Sequence, residues 1–227
     1  MRSRSREVLD TLERENRLGI VMLGRVYHHD PGLNHEIMEE FQKLGYPVFS
    51  QSFLPNDEDL LDRLFGEEVR SGAITHALDI RDVWKNAYSG STNQKIWAAK
   101  FTARHPNLVA LEISNFKCGH DAPIYSVIES IIENSGTPYF AFKDLDENKP
   151  TGSIKIRVET IDYFLKRYRE DLLKKAEAAK ELERQLAEYE RMLRMPLTRR
   201  AVAQENSAIP FTQITTEPQV SSASGDD

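Results

Sequence analysis

What most limits the fold of this chain is the alternation of short apolar runs with segments of helical periodicity. The runs are 18–23 (LGIVML, ending at Gly24), 47–50 (PVFS), 108–113 (LVALEI) and 137–142 (TPYFAF). Apolar residues at successive rather than alternate positions mark strands covered on both faces. Between them lie helical patterns. One begins near Asn34 and places Ile37, Met38, Phe41 and Leu44 on one side, stopping at Gly45. A second, over 57–65, is capped by Asn56, and a third, over 91–104, carries Ile96, Trp97, Ala99, Lys100 and Phe101. A fourth carries Ile124, Val127, Ile128, Ile131 and Ile132. Only 66–86 is hard to read, as mixed loop and short helix. Strands alternating with helices imply βα units and a parallel sheet.

The expected fold is therefore α/β: an open parallel sheet of about four strands in Rossmann/flavodoxin-like βα units, then a long C-terminal helix and a disordered tail. The expected divisions are an N-terminal polar helix or linker (1–17), the α/β domain (18–172), a charged helical extension (173–195) and the tail (196–227). Over 153–195 apolar residues recur at steps of three and four, from Val158 through Leu165, Leu172, Ala179, Leu182 and Leu186 to Leu193, with Lys175 breaking the series. The extension reads either as a coiled-coil or hairpin arm or as a solvated single helix. The residues after Pro196 show no periodicity.

Composition narrows the function classes. With 40% hydrophobic and 29% charged residues the chain has the make-up of a soluble globular domain, and its net charge of −6 argues against a nucleic-acid partner. No apolar run reaches the ~20 residues that cross a bilayer, and the basic start at Arg2, Arg4 and Arg6 lacks the apolar block of a secretory signal. A cytoplasmic location is expected. The one cysteine, Cys118, forms no internal disulfide and by itself holds neither zinc nor an iron–sulfur cluster.

Ligands of open parallel sheets bind beyond the carboxyl ends of the strands. Three polar loops leave such ends here. The first carries Arg25, Tyr27, His28, His29, Asp30, Asn34 and His35; the second Lys117, Cys118, Gly119, His120 and Asp121; the third Lys143, Asp144, Asp146, Glu147, Asn148, Lys149, Thr151 and Ser153. These are expected to converge on one rim. Cys118 sits just before a helix starting near Ala122, where the helix dipole, Lys117 or a protonated His120 favours a thiolate. It reads either as a metal-ligating or redox cysteine or as a small buried hydrophobe. His28, His29 and His35 fit no helical two-ligand spacing. GxGxxG, GxxxxGK[ST] and GxSxG patterns are absent, so neither a nucleotide-phosphate loop nor an ATP site is supported. The segment Ser89-Gly90-Ser91-Thr92 reads as an anion cradle or as an ordinary N-cap. No residue is assigned a catalytic role.

The stretch from Gly24 to His35 (GRVYHHDPGLNH) resembles the GRPYH-x-DPG-x-NH segment of the large acyl-CoA dehydratase activase-related proteins, relatives of the 2-hydroxyglutaryl-CoA dehydratase D-component and its activator. So do 84–89 (WKNAYS), 103–109 (ARHPNLV), 116–123 (FKCGHDAP) and 144–153 (DLDENKPTGS). Val26 departs from the family's proline. The resemblance implies the C-terminal portion of a longer fused protein and an ATP-driven electron-transfer system acting on 2-hydroxyacyl-CoA. Cys118 would then supply one ligand of a [4Fe–4S] cluster completed by other polypeptide. Arg25, Tyr27, His28, Asn34, His35, Lys117, Gly119, His120 and Asp121 would shape the cluster pocket or hold an anion. The expected partners are the remaining modules of that system, with the other cysteines and the ATPase, and a CoA thioester. By itself the chain is expected to be inactive. The alternative is a non-catalytic CoA-binding or assembly scaffold in which Cys118 is structural.

Overall fold

A computed structural model describes residues 1–86, 89–114, 119, 121–143, 145 and 151–194. The elements in chain order are α1 (Arg2–Glu15), β1 (Gly19–Leu23), α2 (Pro31–Asn34), α3 (Ile37–Lys43), β2 (Val48–Ser50), α4 (Glu58–Arg70), α5 (Gly90–Arg104), β3 (Leu108–Ile113), α6 (Tyr125–Asn134), β4 (Tyr139–Phe142) and α7 (Thr151–Leu193). Short 3-10 turns occupy Val26–His29, Gln51–Phe53 and Ala122–Ile124.

The four strands form one all-parallel sheet in the order β2-β1-β3-β4. Ile20 is level with Val48 on one side and Val109 on the other, and Ala110 is level with Tyr139. Every residue of β1 and β3 is buried, as their continuous apolar runs require. Successive side chains point to opposite faces. Val21, Leu23, Leu108 and Ala110 pack with Leu9 and Leu12 of α1, Phe65 of α4, Ile96 and Phe101 of α5, and Ile128 and Ile132 of α6. Ile20, Met22, Val109, Leu111 and Ile113 pack with Ile37 and Phe41 of α3 and with Ile154, Val158, Ile161 and Leu165 of α7.

Met1–Lys174 form one compact unit. The second begins at Lys175; its described part is helical through Leu193, with Leu182, Leu186 and Tyr189 exposed. The expected disordered tail, 196–227, lies outside the described residues. Among the described residues no helix is long and apolar enough to cross a membrane.

Several boundaries differ from the sequence reading for local reasons. The helix expected from Asn34 is split: Pro31–Asn34 is a single turn capped by Asp30, and His35 and Glu36, at φ 53° and 59°, are left-handed before α3 resumes at Ile37. The first turn of α4 is preceded by Asp57 rather than by a capping Asn56. That helix runs through Gly66 to Arg70, with the exposed Arg70–Asp62 pair lying over the glycine. Residues 71–86 are turns gathered around Asp79, which accepts from Thr75 N and Oγ1 and from Arg81 N and Nε. The helix expected near Ala122 begins at Tyr125, after the 3-10 turn that contains Pro123. Lastly, α1 is part of the packed body: a Cβ on Gly19 would lie 2.6 Å from Leu12 Cδ1 and 2.7 Å from Phe49 Cε2, so the helix rests directly on the strand.

Candidate functional site

In this strand order, the chain leaves β1 toward β2 on one side and returns to β3 on the other, so the crevice between the carboxyl ends of β1 and β3 is the switch point of the sheet. Gly24 and Arg25 leave one strand there, and Ser114 leaves the other. Around them lies a network of buried charge.

Arg25 is its hub. Its Nε donates to Asp121 Oδ1 at 2.9 Å, and its Nη2 lies 2.8 Å from the same oxygen. The fork also donates from Nη1 to Ser91 Oγ at 2.9 Å and from Nη2 to Thr92 Oγ1 at 3.4 Å, both in the first turn of α5. Asp121 is fully buried, and its Oδ2 accepts from Ser114 Oγ at 3.0 Å. Beneath this pair lies a second one. Lys95 of α5 and Glu112 of β3 are both 0% exposed, with Lys95 Nζ 2.6 Å from Glu112 Oε1 and 3.4 Å from Asp121 Oδ1. The Lys95–Glu112 contact is close in distance but not aligned as a hydrogen bond. Tyr139 OH donates to Glu112 Oε2, and Tyr125 OH shares a hydrogen bond with Ser114 Oγ.

Two cations and two carboxylates thus neutralise one another out of water. Burial pushes the Asp121 carboxyl up, but Lys95 and Arg25 outweigh it and hold the group below the usual carboxylate range. Burial, followed by the Glu112 charge, pushes the Tyr139 phenol upward, so it stays a donor. His28 is the neutral member. Burial lowers it to about 4 against the opposing pull of Asp121, and its Nδ1 accepts the Arg25 backbone N–H at 3.0 Å. Asn34 donates to His28 O at 2.9 Å, and Gln51 accepts from Gly24 N at 3.1 Å, so the β1 loop is held from both sides.

Two of the three loops expected to share a rim are therefore joined, through Arg25 and Asp121. Tyr27 of the first loop is exposed, and His35 is one of the two left-handed residues beside α3. Gly119 is exposed with open space at its α-carbon. Cys118, Lys117 and His120 lie outside the described residues, as does most of the third loop. Its Lys143 is described, 3.6 Å from Glu129 and over the rings of Tyr125 and Tyr139. The Ser89-Gly90-Ser91-Thr92 segment acts as a cap: Ser89 Oγ accepts from Thr92 N, and the next two hydroxyls take the Arg25 guanidinium. Sequence reading missed Lys95, Glu112, Ser114 and the two tyrosines. The signal available was Glu112, a lone acid in the buried run LVALEI.

Among the described residues no group of three or more His, Cys, Asp or Glu is placed to hold an ion. Both Asp121 oxygens and His28 Nδ1 are already engaged.

Residues 1–54, which include β1, the Arg25 loop and β2, match the family described as CoA enzyme activase uncharacterised domain. The match spans residues 1–54 of the 227 and supports a relation to CoA-enzyme activase proteins. No curated protein and no solved structure matched. The matched region contributes Arg25, His28 and Asn34 to the network, while Lys95, Glu112 and Asp121 lie beyond it.

Proposed function

We propose that this chain is a module of a CoA-enzyme activation system that presents the segment carrying Cys118 to another polypeptide, and that the Cys118 thiolate is its single ligand to a [4Fe–4S] cluster completed by that partner. The observation that carries this reading is the clasp at the switch point. Ser114 and Asp121, the described residues on either side of 115–118 and 120, are both buried, hydrogen-bonded to each other and tied through Arg25 to the β1 loop. A segment anchored at both ends in a rigid, charge-neutral base suits recognition at the carboxyl edge of the sheet. The match of residues 1–54 to a CoA enzyme activase domain supports such a system, and a bound cluster would supply one-electron chemistry. This chain's own part is to hold the loop and keep the base dry.

The reading of the rim as a CoA-phosphate site has less support. Arg25 is neutralised by Asp121, and Lys143 is engaged with Glu129 and two tyrosine rings.

Anaerobic affinity purification of the tagged full chain from its native cells tests the proposal, with iron analysis and visible spectroscopy of the co-purifying complex. Iron and charge-transfer absorbance are expected with the wild type, and their loss with Cys118→Ser while the partner is still captured. Colour that survives Cys118→Ser overturns the ligand assignment. A complex without iron reduces the chain to a scaffold.

A further inference from the structure

We propose that the open side of β4, with the flank of α7 beside it, takes an extended segment of another polypeptide as a fifth strand, apolar at its centre and acidic at its ends. The proposal stands apart from the cluster reading, since it uses neither Cys118 nor the switch point. Among the described residues β4 is an edge strand. Every residue of β1 and β3 is buried, whereas Tyr139, Phe140 and Ala141 are only half-buried. Ala110 N donates to Pro138 O and Ser114 N to Phe142 O, so alternate residues from Pro138 to Phe142 turn their backbone groups toward β3. Tyr139 and Ala141 therefore turn theirs to the open side. Ala141 O accepts from Arg157 Nη2 at 2.9 Å, which leaves the Tyr139 N–H and C=O and the Ala141 N–H along the edge. An added strand carries the complementary groups.

The flank of α7 distinguishes this edge from an ordinary one. Arg157 fixes which side of the helix lies over β4, since its guanidinium also stands 4.1 Å from the centroid of the Phe142 ring. Thr160 and Phe164, three and seven residues on, share that side, and Ile156 and Tyr163 border it. Ile156, Tyr163 and Phe164 are 66%, 59% and 55% exposed, with the last two rings 6.1 Å apart. Three large apolar side chains thus stand in water beside a strand edge of the kind that sheets normally blunt or cover. Charge then chooses the occupant. Positions 156, 157, 160, 163, 164 and 167 hold two arginines and no carboxylate. The arginines are ten residues apart, about 15 Å along the helix, which is the length of about five residues of strand. An apolar run of that length with a carboxylate at each end matches them. A second copy of the same edge would set arginine against arginine across a two-fold axis, so it is the poorer fit.

Titration of the full chain with a capped synthetic peptide, Glu-Thr-Val-Thr-Val-Thr-Glu, tests this, with amide hydrogen exchange followed by NMR. When extended, the peptide sets glutamate, valine, valine and glutamate on one face. Saturable binding is expected, with slowed exchange of the Tyr139 and Ala141 amides. Phe164→Glu should weaken binding at least about tenfold while the helical circular-dichroism signal is retained, and so should lysine in place of both peptide glutamates. Arg167→Glu should reverse the preference between the two peptides. Binding without slowed exchange at Tyr139 and Ala141 overturns the strand addition, and equal affinity for the lysine peptide overturns the acidic occupant. Binding of neither peptide overturns the proposal. So does a full chain that dimerises and is dispersed by Phe164→Glu, which would put a second copy on this edge.

Discussion

His28 shows how one side chain ties the network to pH. Its Nδ1 is an acceptor only while the ring is neutral, and burial keeps it so down to about 4. The unfolded chain takes up this proton at the ordinary value of 6.5, so between 6.5 and about 4 the unfolded state binds more protons than the folded one. Stability contributed by a neutral His28 is therefore present above pH 6.5 and lost as pH falls. The loss is on the order of 3 kcal/mol over that window. Burial also lowers His105, which adds to the same trend. Urea denaturation of wild type and His28→Gln across this range should show a steeper acid decline for the wild type; parallel curves would remove His28 from the account. Lys95 and Glu112 behave differently, because each is costly to bury without the other. Lys95→Met should lower stability by about 3–5 kcal/mol, while Lys95→Met/Glu112→Leu should recover most of that loss. Matching urea midpoints for the single and double variants would contradict this.

Between elements, the decisive contacts are one charged strap and one close approach. The strap runs from the β1 loop through Arg25 to Asp121, just before α6, and to the first turn of α5. Arg25→Met should cost about 3–5 kcal/mol by leaving Asp121 buried with less compensation. Arg25→Lys should recover little of this, because a point charge cannot reach Asp121, Ser91 and Thr92 together as the planar fork does. Thermal unfolding of the three proteins decides it; full recovery by lysine would mean that charge alone matters. The approach is that of α1 to β1. Gly19→Ala adds a methyl at 2.6 Å from Leu12 and 2.7 Å from Phe49, and should destabilise by about 1–3 kcal/mol through overpacking. A neutral result in equilibrium unfolding would show that α1 can slide to make room.

At the scale of the whole molecule, the apolar core closes within Met1–Lys174, with Ile154 to Leu165 of α7 covering one face of the sheet. A chain ending at Lys174 should unfold cooperatively, with stability within about 0.5 kcal/mol of the full chain measured as a monomer. A broad or lowered transition would make the segment beyond part of the body. The α/β architecture was legible because burial on two faces writes itself into consecutive residues, as in GIVML and LVALEI. The site was legible only in part. Arg25, His28, Asn34 and Asp121 stood in polar loops at strand ends, where ligands gather. Lys95 gave no such sign, because α5 is buried on most sides and its spacing marks no single face as the one that meets β3.

The order of secondary elements, the parallel sheet and the polar character of its carboxyl edge follow from the sequence alone, since periodicity and turn chemistry are local properties. Which charges neutralise one another was settled by the tertiary structure. Only strand order β2-β1-β3-β4 brings residues as distant in the chain as Arg25, Lys95, Glu112 and Asp121 within contact. Once there, water is excluded, and the Asp121 carboxylate, which the sequence placed in a polar loop at a strand end, is held by arginine and lysine.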